Sequence, residues 1–429
     1  MKRRKVVITG LGLATCLGLS LEDNWQAVLN GKSGIRKIEH PSADQSPIHA
    51  AGTIQHEDWR TIREAFPEET ASGQEKKTLL ALWAGRTAFE DAGLDSESGD
   101  RGKFGIFLAS EIGESRIEDI ARWTGKDGRF DPVRFGRELS GVRSESIMRH
   151  PSHRPSALIA RQLNLNGMNG TITAACASAT QAIGMGLRAI QRGEADIMLV
   201  GGSSAMVHPL GLVFFVLLNA ASTSQEDPKT ICRPFDRRRS GLVMAEGAAI
   251  AVIEEESHAR RRKAKIYAEL AGYGASLDAY QLTRPHPDGR GADQSMQSAL
   301  RDACLTAHDI DYINAHGTST KLNDVVETLA IKKVFGDRAY RIPVSSSKSM
   351  IGHTLAASGA PEFVYTVLTV QRDEIHPTIN LDRPDPKCDL DYVPNKKRSR
   401  IVRAALSNSF GFGGQNASVI VKKYGRDDA

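Results

Sequence analysis

Short apolar runs alternate with amphipathic segments along almost the whole chain. VVITGLG from Val6, FGIFLAS over 104–110, TIT from Thr171 and ADIMLVGG from Ala195 are apolar and β-rich, and each is too short for a helix. Between them, LLALWAGRTAFEDAG from Leu79 carries helical periodicity and ends on Gly93, a C-cap residue. A second helix is predicted after Cys176, in ASATQAIGMGLRAIQRG. The rhythm returns in the second half. IYAELAGYGA from Ile266, YINAHGT from Tyr312 and IPVSSSK from Ile342 read as strands, and SMQSALRDACLTA from Ser295 and TLAIKKVFG from Thr328 as helices. AALSNSFGFGGQNASVIVKKY from Ala404 reads as a strand, a glycine turn and a strand. Such alternation predicts an α/β protein with buried, mostly parallel sheets.

The chain of 429 residues exceeds one ordinary core, so two or three domains or fused halves are expected. The charged segment EEESHARRRKAK over 254–265 is the best boundary, giving parts 1–260 and 261–429. Residues 114–155 are polar and irregular and look like an insertion; no short-period repeat is visible. Lys2 to Lys5 followed by an apolar stretch has the outline of a signal peptide. Gly10, Gly12 and Gly18 break any helix there, and a buried strand is the better reading. The apolar run Leu210 to Leu218 is about half a bilayer span, which points to core or subunit interface rather than a membrane segment.

Hydrophobic residues form 40% of the chain and charged residues 25%, as in soluble globular proteins. A formal net charge of +5 suits an acidic partner but does not argue for nucleic acid. Cys16, Cys176, Cys232, Cys304 and Cys388 are odd in number and lack CxxC spacing. Reduced thiols in a cytoplasmic protein are expected, with no disulfide framework or zinc knuckle.

Cys176 stands where a β-rich run turns into a helix, among small neighbours Ala174, Ala175, Ala177 and Ser178. A helix N-terminus favours the thiolate, so a lowered thiol pKa is expected; a buried inert cysteine is the bland alternative. His316 in NAHGTST and His353 in KSMIGHT each follow a strand, where α/β folds collect catalytic groups. Either histidine alone is more simply a satisfied structural residue. SNSFGFGGQN over 407–416 holds glycines that let backbone N–H groups face a site, although a plain hairpin turn would look similar. GLGLATCLG gives only weak support to a dinucleotide site.

Taken together, VVITGLG, TAACASATQAIG, RPFDRRRSG with AEGAA, NAHGTST, SSSKSMIGH, PTINLD and SNSFGFGGQN resemble the elongating β-ketoacyl-[acyl carrier protein] synthases of the synthase II type. The likeness runs from Val6 to Lys423. It implies a thiolase-like fold, a five-layer αβαβα sandwich of two similar halves, and usually a homodimer. It implies decarboxylative Claisen condensation of an acyl group on Cys176 with malonyl-[acyl carrier protein], in fatty acid or type II polyketide-like biosynthesis. No cofactor or metal is implied, since substrates arrive on the phosphopantetheine arm of acyl carrier protein.

By the same resemblance His316 and His353 stabilise the enolate, and Lys348, paired with Glu362, orders the site. The N–H groups of Cys176 and Phe412 form the oxyanion hole, and Phe410 and Phe412 the gating loop. Thr318, Thr320 and Thr283 match positions that bind the arm. Ile112 matches the bottom of the acyl pocket, with core packing as the rival reading. Lys76, Lys77, Arg237, Arg238 and Arg239 are candidates to steer the acidic carrier; the run Arg260 to Lys263 reads as solvated surface. Glu111, Ser240, Lys263 and Gln415 depart from the family pattern and put pocket shape and acyl preference in question. A thiolase would need a second cysteine in the last glycine loop, where Phe412 stands. Initiating synthases use Cys, His and Asn. A chain-length-factor-like partner subunit, the main alternative, would lack the nucleophile.

Overall fold

The computed structural model describes residues 3–39, 46–95, 100–113 and 116–425. Lys2 of the basic N-terminus and residues 114 and 115 of the expected insertion therefore lie outside the described residues. Its main sheet has ten strands: β1 (Val6–Ala14), β2 (Phe104–Ala109), β3 (Asn169–Ile172), β4 (Ile197–Ser204), β5 (Gly247–Glu255), β6 (Ala268–Leu277), β7 (Tyr312–Asn314), β8 (Val344–Ser345), β9 (Ala404–Gly411) and β10 (Gln415–Lys422). Their order is β8-β7-β9-β10-β6-β1-β5-β4-β2-β3. Only two residue pairs join β1 to β6, and the order divides there into two runs of five strands.

The two runs share one pattern. From the junction outward, β1-β5 and β5-β4 are antiparallel, then β4-β2 and β2-β3 are parallel. In the other run β6-β10 and β10-β9 are antiparallel, then β9-β7 and β7-β8 are parallel. The sheets are thus mixed, which corrects the expectation of mostly parallel pairing. β9 and β10 are joined by the three-residue turn Phe412–Gly414, too short for the crossover that parallel strands need. Both faces are covered, so apolar runs look alike in either pairing.

The helices stack in matching places. α1 (Lys76–Asp91) and α2 (Arg154–Gln162) cover the outer face of the first sheet, and α5 (Arg290–Asp302) and α6 (Lys321–Phe335) that of the second. Between the sheets lie α3 (Ser178–Gln191) and α8 (Gly359–Arg372), both touching strands of each. Three apolar cores result, one between the sheets and one beneath each outer layer, which is a five-layer αβαβα arrangement. The chain passes from one half to the other through a helical turn, Glu256–Arg261, where Arg262 and His258 both bond the buried Glu254. Lys263 there has φ +57°, a left-handed conformation that suits the glycine of the family pattern.

Glycines explain how strands and outer helices approach. A Cβ on Gly10 or Gly12 of β1 would lie 2.2 or 2.0 Å from the carbonyl oxygens of Ala88 and Ala84 on α1. The N-terminal GLG is therefore a packing device, which answers the weak dinucleotide reading. Ahead of α5, α4 (Pro209–Leu217) turns Leu212 and Phe215 inward and leaves Val213, Phe214 and Leu217 exposed, as an interface would. No helix among the described residues is long and apolar enough to cross a membrane.

Candidate active site

Cys176 lies between the end of β3 and the start of α3, on a turn held in a strained form. Ala175 has φ +48°, and Ser178 Oγ accepts the Ala174 N–H at 2.7 Å while donating to the Ala175 carbonyl at 2.6 Å. The β9–β10 turn presses against this loop. A Cβ on Gly411 would sit 3.0 Å from the Cys176 nitrogen and 3.1 Å from the Ala174 oxygen, so a side chain there would push the nucleophile loop by a few tenths of an ångström. Left-handed Gly413 and Gly414 (φ +75° and +76°) then turn the chain so that the Phe412 N–H faces the sulfur.

His316 follows β7 and His353 follows the single helical turn α7 (Lys348–Ile351). Both are 1% exposed, and one ring nitrogen of each and the Cys176 sulfur all lie within 4.8 Å of one another. Far apart in sequence, the three converge on one buried spot. The two imidazoles meet edge to face at 5.4 Å, and Phe410 closes on His316 at 5.9 Å. Lys348 and Glu362 are buried and bonded at 2.5 Å, and Ser358 Oγ donates to the same carboxylate at 3.2 Å.

Hydrogen bonds fix both tautomers. Leu355 N–H donates to His353 Nδ1 at 3.1 Å, so the proton of that ring is on Nε2. His353 Nε2 is buried and has no partner, which makes it a donor waiting for an acceptor. The Lys348 ammonium lies 3.4 Å from His316 Nδ1 and again leaves Nε2 as the donor. Burial, reinforced by Lys348, holds both rings well below the usual imidazole range; His353 adds to the effect on His316. Both are neutral donors at neutral pH.

The thiol departs from expectation. Burial pushes Cys176 up to about 11, against the pull of Lys348 and of the Phe412 and Cys176 N–H groups. A helix start is visible in sequence, but desolvation outweighs it. Buried Cys16, Cys232 and Cys388 are pushed further, to about 12, so Cys176 is the most acidic of the four buried thiols. Alkylation of Cys176 by a haloacetamide, followed by peptide mapping, is expected to accelerate steadily above pH 7, with no plateau near neutrality.

A supporting layer escaped the sequence reading. Glu327 on α6 accepts the His316 and Gly317 N–H groups at 2.8 Å each, while burial raises its carboxyl to about 7. Asn408 on β9 donates to the same carboxylate at 3.4 Å. An acidic residue on the inward face of a helix was the available signal. The buried cluster Cys176, His316 and His353 also has the donor types of a soft divalent cation, but the Lys348 charge beside it opposes one.

Other candidates divide. Thr318 is buried and bonded to Thr320 at 2.9 Å on the loop after His316. Thr283 is half-buried, one residue from Leu282, whose carbonyl accepts the Gly413 N–H at 2.6 Å. Arg239 is buried: it clamps the carbonyls of Thr320 and Lys321 and pairs with Asp324 and Asp385, so it cannot meet a carrier. Lys77 is likewise buried, bonded to the Glu111 carbonyl and paired with Glu75. Lys76, Arg237 and Arg238 keep exposed side chains or tips. Ile112 is 71% exposed in the single chain, which overturns plain core packing.

Comparison with known proteins gives the same picture. The family described as "Beta-ketoacyl synthase, N-terminal domain" matches residues 3–259, and "Beta-ketoacyl synthase, C-terminal domain" matches 267–382. The chain is 39% identical to the 3-oxoacyl-[acyl-carrier-protein] synthase 2 of Coxiella burnetii and 39% to that of Synechocystis, each over 99% of both chains. Among solved structures it resembles a type II polyketide ketosynthase in complex with its acyl-carrier protein (TM-score 0.88, 33% identity, covering 99% of this chain and 100% of the other). A ketosynthase from Burkholderia phymatum is similar at TM-score 0.85 and 34% identity, covering 98% of this chain and 100% of the other.

Proposed function

The chain belongs to the β-ketoacyl synthase family, and from that premise we propose that it condenses an acyl group on Cys176 with malonyl-[acyl carrier protein], releasing CO2 and 3-oxoacyl-[acyl carrier protein]. The observation that carries this reading is the convergence of a buried thiol, two neutral imidazole donors and two main-chain N–H groups in one place.

The steps follow from the groups. Cys176 Sγ attacks the acyl thioester carbon, and its oxygen takes up negative charge between the N–H groups of Cys176 and Phe412. The carbon–sulfur bond to the pantetheine arm breaks. The departing thiolate takes the proton that Sγ gives up, so the exchange is proton-neutral. Malonyl thioester then places its carbonyl oxygen on the Nε2–H groups of His316 and His353. Its carboxylate leaves as CO2, and the electron pair remains as an enolate held by those two donors. The enolate carbon attacks the acyl carbonyl, and Cys176 leaves as thiolate, which takes one proton from solvent to return to the thiol, so the condensation consumes one proton per CO2 released. Lys348, held by Glu362, keeps His316 in its donor tautomer and does not itself react.

Thr318, Thr320 and Thr283 line the approach of the arm, and Phe410 and Phe412 gate it. Arg237 and Arg238 meet the acidic carrier, since their segment packs on the 318–321 loop. The edge strand β3, with exposed Met168 and Met185 nearby, and the apolar outer face of α4 form the interface of a homodimer. A non-elongating partner subunit is not favoured, because the nucleophile and both donors are intact. Incubation with acyl- and malonyl-carrier protein is expected to give one CO2 per 3-oxoacyl product, read by mass spectrometry and CO2 trapping. Carbon dioxide without product, in the presence of the acyl donor, would defeat the condensation reading.

A further inference from the structure

The turn that carries Lys348 and leads to His353 is too short to hold itself. α7 (Lys348–Ile351) has four residues, and a single helical turn fixes many dihedrals for very few bonds. Its helical bonds run from the Ile351 N–H to the Ser347 carbonyl at 3.1 Å and from the Gly352 N–H to the Lys348 carbonyl at 2.9 Å. The carbonyls at its end need partners from elsewhere. The Met350 carbonyl accepts the Gly34 N–H at 2.8 Å. The Lys348 and Ile351 carbonyls are met by thiols: Cys232 Sγ donates to the first at 3.0 Å and Cys16 Sγ to the second at 3.4 Å.

Both cysteines are buried, and burial keeps both thiols protonated at neutral pH, so each has its S–H to give. The loops around Cys16 leave it room. A Cβ on Gly34 would lie 2.4 Å from its sulfur, and one on Gly52 would lie 2.3 Å from the Ile351 oxygen. Cys232 has a second bond. The Val243 N–H faces its sulfur, and the Val243 carbonyl accepts the His353 N–H at 2.7 Å. The Ala245 N–H donates to the His353 carbonyl at 2.9 Å. One sulfur therefore ties the backbone of Lys348 to the segment that grips the backbone of His353. The nucleophile is fixed by other groups, the Ser178 hydroxyl and the turn at Phe412.

We propose that Cys232, assisted by Cys16, is a positioning residue for the malonyl half of the reaction. Its thiol fixes the backbone from which Lys348 reaches His316 and His353 presents its Nε2–H. The inference rests on the condensing role and assigns part of it to a group that touches no substrate. Without the sulfur, the Lys348 carbonyl keeps only the Gly352 N–H, and the Val243 N–H loses its acceptor. A displacement of about 1 Å in a positioned group can cost on the order of 10²-fold in rate.

The test times two phases on one preparation of the full chain. Cys176 is first charged from acyl-carrier protein, and the adduct is followed by intact mass. Malonyl-carrier protein is then added in excess, and loss of the adduct is timed. Only folded molecules become charged, so the second phase is unaffected by any loss of folded protein. Cys232→Ala is expected to slow the second phase about tenfold more than the first. Cys232→Ser, whose hydroxyl can donate to the same carbonyl and accept from the same N–H, is expected to return to within about threefold of wild type. Cys16→Ala makes the same comparison at the other carbonyl and stands in where Cys232→Ala does not fold. Its expected ratio is smaller, about threefold, because its bond is longer. Cys388→Ala removes a buried thiol from the core of the second half and is expected to leave the ratio of the phases as in wild type. Equal slowing of both phases in the alanine variants, or a Cys232→Ser variant no faster than Cys232→Ala, overturns the inference and leaves these thiols as packing. A wild-type chain that takes no adduct, or keeps it when malonyl-carrier protein arrives, overturns the condensing role itself.

Discussion

In a Cys176→Ala variant incubated with acyl-carrier protein, no acyl mass is expected on the protein, and condensation should fall by at least about 10⁴-fold. The prediction is severe because no other group can substitute. Cys16, Cys232 and Cys388 are buried, and Cys304, the one exposed cysteine, lies on the C-terminal side of α5 away from the Phe412 turn. An adduct that survives and maps to Cys304 would remove Cys176 as the nucleophile. A Cys176→Gln variant separates the two half-reactions. Its side-chain amide oxygen can rest between the Cys176 and Phe412 N–H groups, as the acyl-enzyme carbonyl would. Acyl transfer is then lost, while the malonyl side of the site, with both histidines in place, should still release CO2.

Much of this site could be read in the sequence, because its parts sit in locally marked places. Cys176 is at a strand-to-helix turn, His316 comes just after a short β-like run, and glycines surround Phe412, whereas His353, expected directly after a strand, stands one helical turn beyond it. What failed was whatever depends on burial by distant chain. Lys77 and Arg239 look like surface charges until the Glu111 carbonyl and Asp324 are brought beside them. The Cys176 thiol looks activated by its helix until the fold buries it, and desolvation then outweighs the pull of Lys348 and of the Phe412 N–H. Glu327 stands on the inward face of its helix, which marks it as buried, but the two N–H groups it holds come from the loop after β7 and cannot be read from the helix alone.

One missed feature was open to reading. Gly10-Leu11-Gly12 in β1 and Gly272-Tyr273-Gly274 in β6 occupy equivalent strands of the two halves. A Cβ at Gly272 or Gly274 would strike the carbonyls of Ala299 and Ser295 on α5 at 2.5 and 2.2 Å, as Gly10 and Gly12 do with α1. The same close approach of strand and outer helix imposes the same pair of glycines. That is a trace of the duplicated architecture which no short-period search detects.

His353→Ala, made in the Cys176→Gln background, is expected to slow malonyl decarboxylation by about 10²–10³-fold, the usual consequence of removing one donor from a developing oxyanion and equivalent to roughly 3–4 kcal/mol. The geometry makes the effect specific to the transition state. His353 Nε2–H has no partner in the free protein, so its bond forms only when a substrate oxygen arrives and strengthens as charge develops there. His316→Ala should cost a comparable factor, and the double variant less than the product of the two, since both donors serve one oxygen. The pH profile distinguishes this from proton donation by an imidazolium. Both rings are held below the ordinary value of 6.5, so they stay neutral as pH falls from 8 to 6.5, and the rate should not climb over that range. Catalysis by a charged histidine would instead make the rate climb towards acid. Stability has its own sign. The unfolded chain binds protons on these histidines below about 6.5 while the folded one resists, so their contribution is complete above that pH and is lost as pH falls. Thermal melting should therefore drop on acidification, and His353→Ala should lessen that drop. A decarboxylation rate unchanged in His353→Ala would leave the enolate without one of its two holders and would remove this histidine from the chemistry.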